Sequence, residues 1–138
     1  MNISNFKNPF FIGVAGVGMS AIAQYLQGIG KNVSGSDRYF HEGEYNKTKE
    51  QLENEGIKCF LQDGSGITAE TDLVVVSTAI EDTVYEVKKA KELGIPIIKR
   101  SQLLAMIAKS KKTIAVAGTS GKSTTSAMLF QILLDAGL

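Results

Sequence analysis

Between residues 113 and 125 a β-branched run, Thr113 to Ala117, leads into Gly118, Thr119, Ser120 and Gly121, and then into Lys122, Ser123 and Thr124. An amphipathic stretch follows to Leu138. That order suits a nucleoside triphosphate. Backbone N–H groups of a glycine-rich turn, and of the helix it opens, point at phosphate oxygens. The lysine adds a point charge, and the hydroxyl after it can ligate Mg²⁺. The common phosphate loop would need a glycine at Val116, so this loop is shorter than usual. It still supplies a nest of N–H groups. A lysine placed at a helix start by chance is the competing reading. It does not account for two glycines, a lysine and four hydroxyl residues falling together between an apolar strand and a helix.

A second glycine-rich turn lies near the N-terminus. Gly13, Ala15 and Gly18, with Gly16 between them, approximate the dinucleotide fingerprint G-x-G-x-x-G. Ala15 stands at the middle position, where a glycine normally lets backbone approach a pyrophosphate closely. About twenty residues downstream, Ser34, Gly35, Ser36 and Asp37 close a second strand, where an acidic residue can accept hydrogen bonds from a ribose or a base. Ser77, Thr78 and Ala79 follow the most hydrophobic strand, at the carboxyl end where open α/β sheets bind ligands. Each feature has a plainer reading. The turn can be tight without a ligand, Asp37 can cap a turn, and the hydroxyls can cap a loop. The order strand, glycine turn, helix, strand, acid favours a nucleotide-diphosphate site, with NAD and a UDP-sugar both open.

These residues need a scaffold, and the hydrophobic pattern supplies one. Strands are expected at Phe10–Val14, Asn32–Gly35, Ile57–Leu61, Asp72–Ser77, Ile95–Ile98 and Thr113–Ala117. Helices are expected at Met19–Gly28, Glu44–Glu55, Thr83–Leu93, Ser101–Ala108 and Ser123–Ala136, with Ser101 as an N-cap. Residues 62–71 read as a loop. Alternation of strand and helix predicts an α/β fold with a Rossmann-like, doubly wound parallel sheet, followed by the first strand-loop-helix unit of a P-loop ATPase domain. The basic stretch Lys109, Ser110, Lys111, Lys112 marks the expected boundary, with one domain at 1–110 and the start of a truncated second at 111–138.

Composition narrows the class. The chain has 138 residues, 43% hydrophobic and 21% charged, with a formal net charge of +1. That balance gives no electrostatic argument for nucleic acid or an anionic membrane. The single cysteine, Cys59, allows no intrachain disulfide, suits a reducing compartment and reads as a buried inert thiol. No apolar run is long enough to span a bilayer, and the N-terminus lacks a signal-peptide pattern, so a cytoplasmic location is expected. The lone His41 reads as an exposed bystander.

Taken together, five collinear segments resemble the Mur ligase family, most closely its alanine-adding branch. They are Gly13–Ser20, Val33–Asp37, Val74–Ile80, Gly94–Arg100 and Ala117–Thr124. The resemblance implies the N-terminal part of a three-domain cytoplasmic enzyme of peptidoglycan precursor synthesis, inactive by itself. ATP, with Mg²⁺, would phosphorylate the lactyl carboxylate of UDP-N-acetylmuramate, and the amine of L-alanine would attack the acyl phosphate. Carried over, Gly13, Val14, Ala15, Gly16, Val17, Gly18, Met19 and Ser20 would cradle the UDP pyrophosphate. Ser36 and Asp37 would lie near the uridine, and Ser77, Thr78 and Ala79 near phosphates or sugar. Gly118, Thr119, Ser120, Gly121, Lys122, Ser123 and Thr124 would wrap the ATP phosphates, with Lys122 the catalytic charge and Ser123 the metal ligand. Ser120 stands where alanine-adding members usually have His, and Ser123 where they usually have Thr. A recycling ligase of the same family, which joins a ready-made peptide, is the alternative within the family. An NAD-binding Rossmann domain and a non-catalytic UDP-sugar module are the alternatives outside it.

Overall fold

The computed structural model describes residues 1–138. Five strands form one wholly parallel sheet: β1 (Pro9–Ile12), β2 (Ser34–Asp37), β3 (Lys58–Leu61), β4 (Leu73–Val76) and β5 (Ile97–Lys99). Their order across the sheet is β3-β2-β1-β4-β5. The order reverses between β1 and β4, which creates the switch point where open α/β sheets bind ligands. In register, Phe11 lies opposite Gly35 on one side and Val75 on the other.

Alternation of side chains splits the core in two. Phe11, Leu73 and Val75 face one layer, where α1 (Val17–Gly28) contributes Met19, Ile22, Ala23 and Leu26. Leu52 of α2 (Lys47–Asn54) and Leu103 of α4 (Arg100–Lys109) complete it. Phe10, Ile12 and Val74 face the other layer, covered by Val87 and Ala90 of α3 (Tyr85–Glu92) and by Ile67. The connection from β3 to β4 carries no helix, as the loop expected at 62–71 implied, and Ile67 anchors it.

Several expectations are corrected. The second strand lies at Ser34–Asp37 rather than Asn32–Gly35, so Ser36 and Asp37 sit inside it. Ser-Gly-Ser-Asp has little strand propensity, but pairing with β1 and β3 on both sides overrides it. Ser101 is not an N-cap: α4 starts one residue earlier, and Gln102 Oε1 accepts the Lys99 N–H at 2.8 Å. The second helix starts at Lys47, because Asn46 Oδ1 caps it by accepting the Lys49 N–H at 3.0 Å. Thr113–Ala117 forms no strand, since none of the five strands pairs with it. The loop and α5 (Lys122–Asp135) that follow it are present as expected.

Candidate functional site

The turn after β1 pivots on Gly13, whose φ of +83° is the left-handed conformation that glycine adopts freely. The N–H groups of Gly13 and Val14 both donate to the Ser36 carbonyl, at 2.8 and 3.0 Å. Ala15 N–H donates to Asp37 Oδ2 at 2.9 Å. Gly16 N–H donates back to the Gly13 carbonyl at 3.2 Å. The donors of Gly13 to Gly16 are therefore satisfied within the protein. Those of Val17 and Gly18, the first residues of α1, meet no acceptor in the chain. They point from the positive end of a helix dipole, where an anion is favoured.

This narrows the cradle expected over Gly13–Ser20. Val14 and Met19 bury their side chains in the core. The Val17 side chain is 89% exposed. Ser20 Oγ donates to the Val17 carbonyl at 3.1 Å and is turned onto its own helix. Asp37 is buried, and besides the Ala15 bond its Oδ1 accepts the Tyr39 N–H at 3.0 Å. It stitches the glycine turn to β2, a role that the sequence pattern alone did not suggest. Ser36 is fully buried, and its Oγ has no partner.

A cleft of about 390 Å³ opens at the carboxyl end of the sheet, across the switch point. Gly13, Ala15 and Gly16 form one wall, Asp37 lies at the end of β2, and Ser77 and Ala79 follow β4. Thr78 is exposed beside it. The structure adds cleft residues that sequence reasoning missed, chiefly Arg38, Tyr39 and Gln62. The Arg38 guanidinium sits 4.8 Å over the Tyr39 ring, and Nη2 donates to Tyr39 Oη at 2.8 Å. An exposed aromatic face at a nucleotide-sized cleft offers a stacking surface. The available signal was an Arg-Tyr pair directly after the acid of β2.

The second candidate site is built from the loop before α5. Gly121 is the N-cap at φ +74°, and Gly118 lies at φ +155°. The backbone N–H groups from Thr119 to Thr124 have no acceptor in the chain, and the first bond of the helix runs from Thr125 N–H to the Gly121 carbonyl at 2.9 Å. Lys122 Nζ folds back over the loop and donates to the Gly118 carbonyl at 2.7 Å. The loop is thus a run of free donors with a cation folded back over it. No cluster of three or more His, Cys, Asp or Glu side chains could hold a metal. Mg²⁺ commonly takes one or two protein ligands beside phosphate oxygens and water. The exposed Ser123 hydroxyl fits that need as a single ligand.

A family model described as "Mur ligase family, catalytic domain" matches residues 10–112. The chain belongs to the Mur ligase family. Its similarity to individual members extends through the second glycine loop. A UDP-N-acetylmuramate–L-alanine ligase from Carboxydothermus hydrogenoformans is 45% identical over 92% of this chain and 26% of its own length. The solved UDP-N-acetylmuramate–alanine ligase of Thermotoga maritima superposes with a TM-score of 0.79 at 30% identity, over 91% of this chain and 29% of that one. A murein peptide ligase from Psychrobacter arcticus superposes with a TM-score of 0.83 at 30% identity, over 95% and 27% of the two chains. The chain therefore spans little more than a quarter of the Mur ligases it resembles. No helix is long and apolar enough to cross a membrane.

Proposed function

We propose that this chain is the UDP-sugar-binding part, with the first ATP-binding unit, of an ATP-dependent ligase that joins L-alanine to UDP-N-acetylmuramate. The cleft at the switch point takes the UDP-sugar, with the pyrophosphate at the free N–H groups of Val17 and Gly18. The loop from Gly118 to Thr124 takes the ATP phosphates, with Lys122 neutralising charge on the transferred phosphoryl group and Ser123 ligating Mg²⁺. The lactyl carboxylate is activated as an acyl phosphate, and the amine of alanine displaces phosphate. The lone free thiol, Cys59, is in keeping with a cytoplasmic location.

One observation carries this reading: the unsatisfied donors of Thr119–Thr124 beneath Lys122. A dinucleotide-binding domain has no use for a lysine-spanned phosphate loop after its sheet, nor does a module that only binds a UDP-sugar. Calorimetric titration with UDP-N-acetylmuramate, and with NADH in parallel, tests it. Binding of the UDP-sugar alone supports the ligase, and binding of NADH alone overturns it.

A second reading within the family is a ligase that adds a ready-made peptide. It is favoured by Ser120 and by the likeness to the murein peptide ligase of P. arcticus, at a TM-score of 0.83. Offering L-alanine or a peptide to the full-length enzyme, and following ADP release, separates the two.

A further inference from the structure

Arg100 opens α4 directly after β5, and the reading of the glycine turn leaves it without a task. Its guanidinium lies against Gly18. Nη1 fills the space that a Cβ at residue 18 would need, and Cζ would be 3.1 Å from that Cβ. The exposed Arg100 side chain makes no hydrogen bond within the chain, and the one ion pair of the molecule is Lys91 with Asp82, at 3.1 Å. Gly18 is one of the two residues of the turn whose N–H is free.

The electrostatics of this placement are one-sided. The guanidinium sits at the N-terminus of α1 and is itself the first residue of α4. Both helices present a positive end, and neither has an acidic residue in its first turn. A cation is disfavoured at a helix N-terminus. Here a guanidinium lies at such an end, and neither first turn carries an acid to offset it; the nearest carboxylate of the turn, Asp37, is engaged by Ala15 and Tyr39 N–H. The planar fork of arginine matches the oxygens of a phosphate in bidentate fashion.

We propose that Arg100 is a specificity-determining residue of the first site, clamping the diphosphate of the nucleotide from the α4 side while Val17 and Gly18 donate from the α1 side. Glycine at residue 18 leaves the room in which the guanidinium lies. This inference rests on the reading of the turn as a nucleotide-diphosphate site and adds to it a side chain that selects a diphosphate over a nucleoside.

The test is titration of this protein with UDP and with uridine, in the wild type and in Arg100→Ala, Arg100→Lys, Gly18→Ala and the double variant Gly18→Ala/Arg100→Ala. Arg100→Ala is expected to weaken UDP by roughly tenfold to a hundredfold, the usual effect of losing a charged hydrogen-bond partner. Uridine affinity should stay unchanged, and the salt dependence of UDP binding should flatten. Arg100→Lys should recover part of the loss. The obstructing atom at Gly18 is the end of a flexible side chain, so Gly18→Ala should displace the guanidinium and weaken UDP too. It should add little once Arg100 is already alanine, as for two residues in contact, and the unchanged uridine affinity is what separates a phosphate clamp from a purely structural role. If wild-type protein binds UDP and Arg100→Ala binds it equally well, the role of Arg100 is overturned while the site stands. If the wild type binds no UDP at up to millimolar concentration, the reading of the site falls and this proposal with it.

Discussion

Asp37 Oδ2 accepts the backbone N–H of Ala15 at 2.9 Å, so the acid at the end of β2 holds the glycine turn that follows β1. The second carboxylate oxygen holds its own following turn through Tyr39 N–H, at 3.0 Å. Asp37 is 4% exposed, and the two bonds are part-buried at the edge of the cleft. Removing the carboxylate leaves two backbone donors without their acceptor, at a cost of about 1–3 kcal/mol. Asp37→Ala should lower the urea midpoint accordingly and weaken UDP-N-acetylmuramate as well, because the turn loses its brace. Unchanged stability would show that water replaces the carboxylate without penalty.

Gly35 lies in β2 with almost no space around it. A Cβ there would stand 2.7 Å from the Phe11 carbonyl oxygen and 2.8 Å from Val14 Cβ. The first obstacle is backbone, which cannot swing aside. Gly35→Ala should therefore destabilise the fold by about 1–3 kcal/mol or more, as overpacked cores do. Thermal unfolding followed by circular dichroism would show it as a lowered Tm. A neutral effect would mean that β1 and β2 can separate locally.

Cys59 is half-buried on β3 rather than buried as expected, and its chemistry tests how far it is covered. Its thiol pKa is pushed up to about 12 from an ordinary 9.0, first by burial and next by the negative charge of Glu53. The folded state therefore holds its proton where the unfolded chain has lost it. The resulting stability is fully present below pH 9 and is lost as pH rises towards 12. Native protein at pH 8 should react slowly with a thiol-specific disulfide reagent, and urea-unfolded protein quickly, since the thiolate is the reactive form. Equal rates would place Cys59 at the surface.

The sequence made the central architecture legible where side-chain pattern and burial agree. Leu73–Val76 reads as a continuous apolar run and is a strand packed on both faces. Phe10 and Phe11, adjacent in sequence, go to opposite layers as the strand period requires. The apolar pattern points two residues early for β2, at Asn32–Gly35, because no local signal marks Ser34–Asp37; its strand character comes from neighbours on both sides. The same non-local cause hid the brace between Asp37 and Ala15, which are 22 residues apart. Arg100 and Gly18 meet only because α4 and α1 cover the same layer of the sheet, a relation that no spacing along the chain encodes. At Thr113–Ala117 the pattern was β-like, but pattern without a partner strand makes no ladder.

That last segment leads to a prediction about local stability. Beyond Leu103 no residue is buried, and Met128, Phe130, Ile132 and Leu134 of α5 are each more than half exposed, at 61, 65, 63 and 55%. An isolated helix shorter than about 12–15 residues is marginal in water, and tertiary packing normally supplies the rest. With 14 residues and no buried side chain, α5 has little of that packing. Amides of Thr113–Leu138 should exchange with solvent far faster than those of β1, β2 and β4, whose protection approaches that of global unfolding. Mass-spectrometric hydrogen exchange resolves the two regions. ATP with Mg²⁺ should selectively slow residues 119–124, because binding to the folded loop alone stabilises it by mass action. Uniform protection across Lys112 without nucleotide would contradict the first expectation, and exchange unaltered by nucleotide would contradict the second. The two outcomes are independent, since a loop can be poorly protected and still close on phosphate.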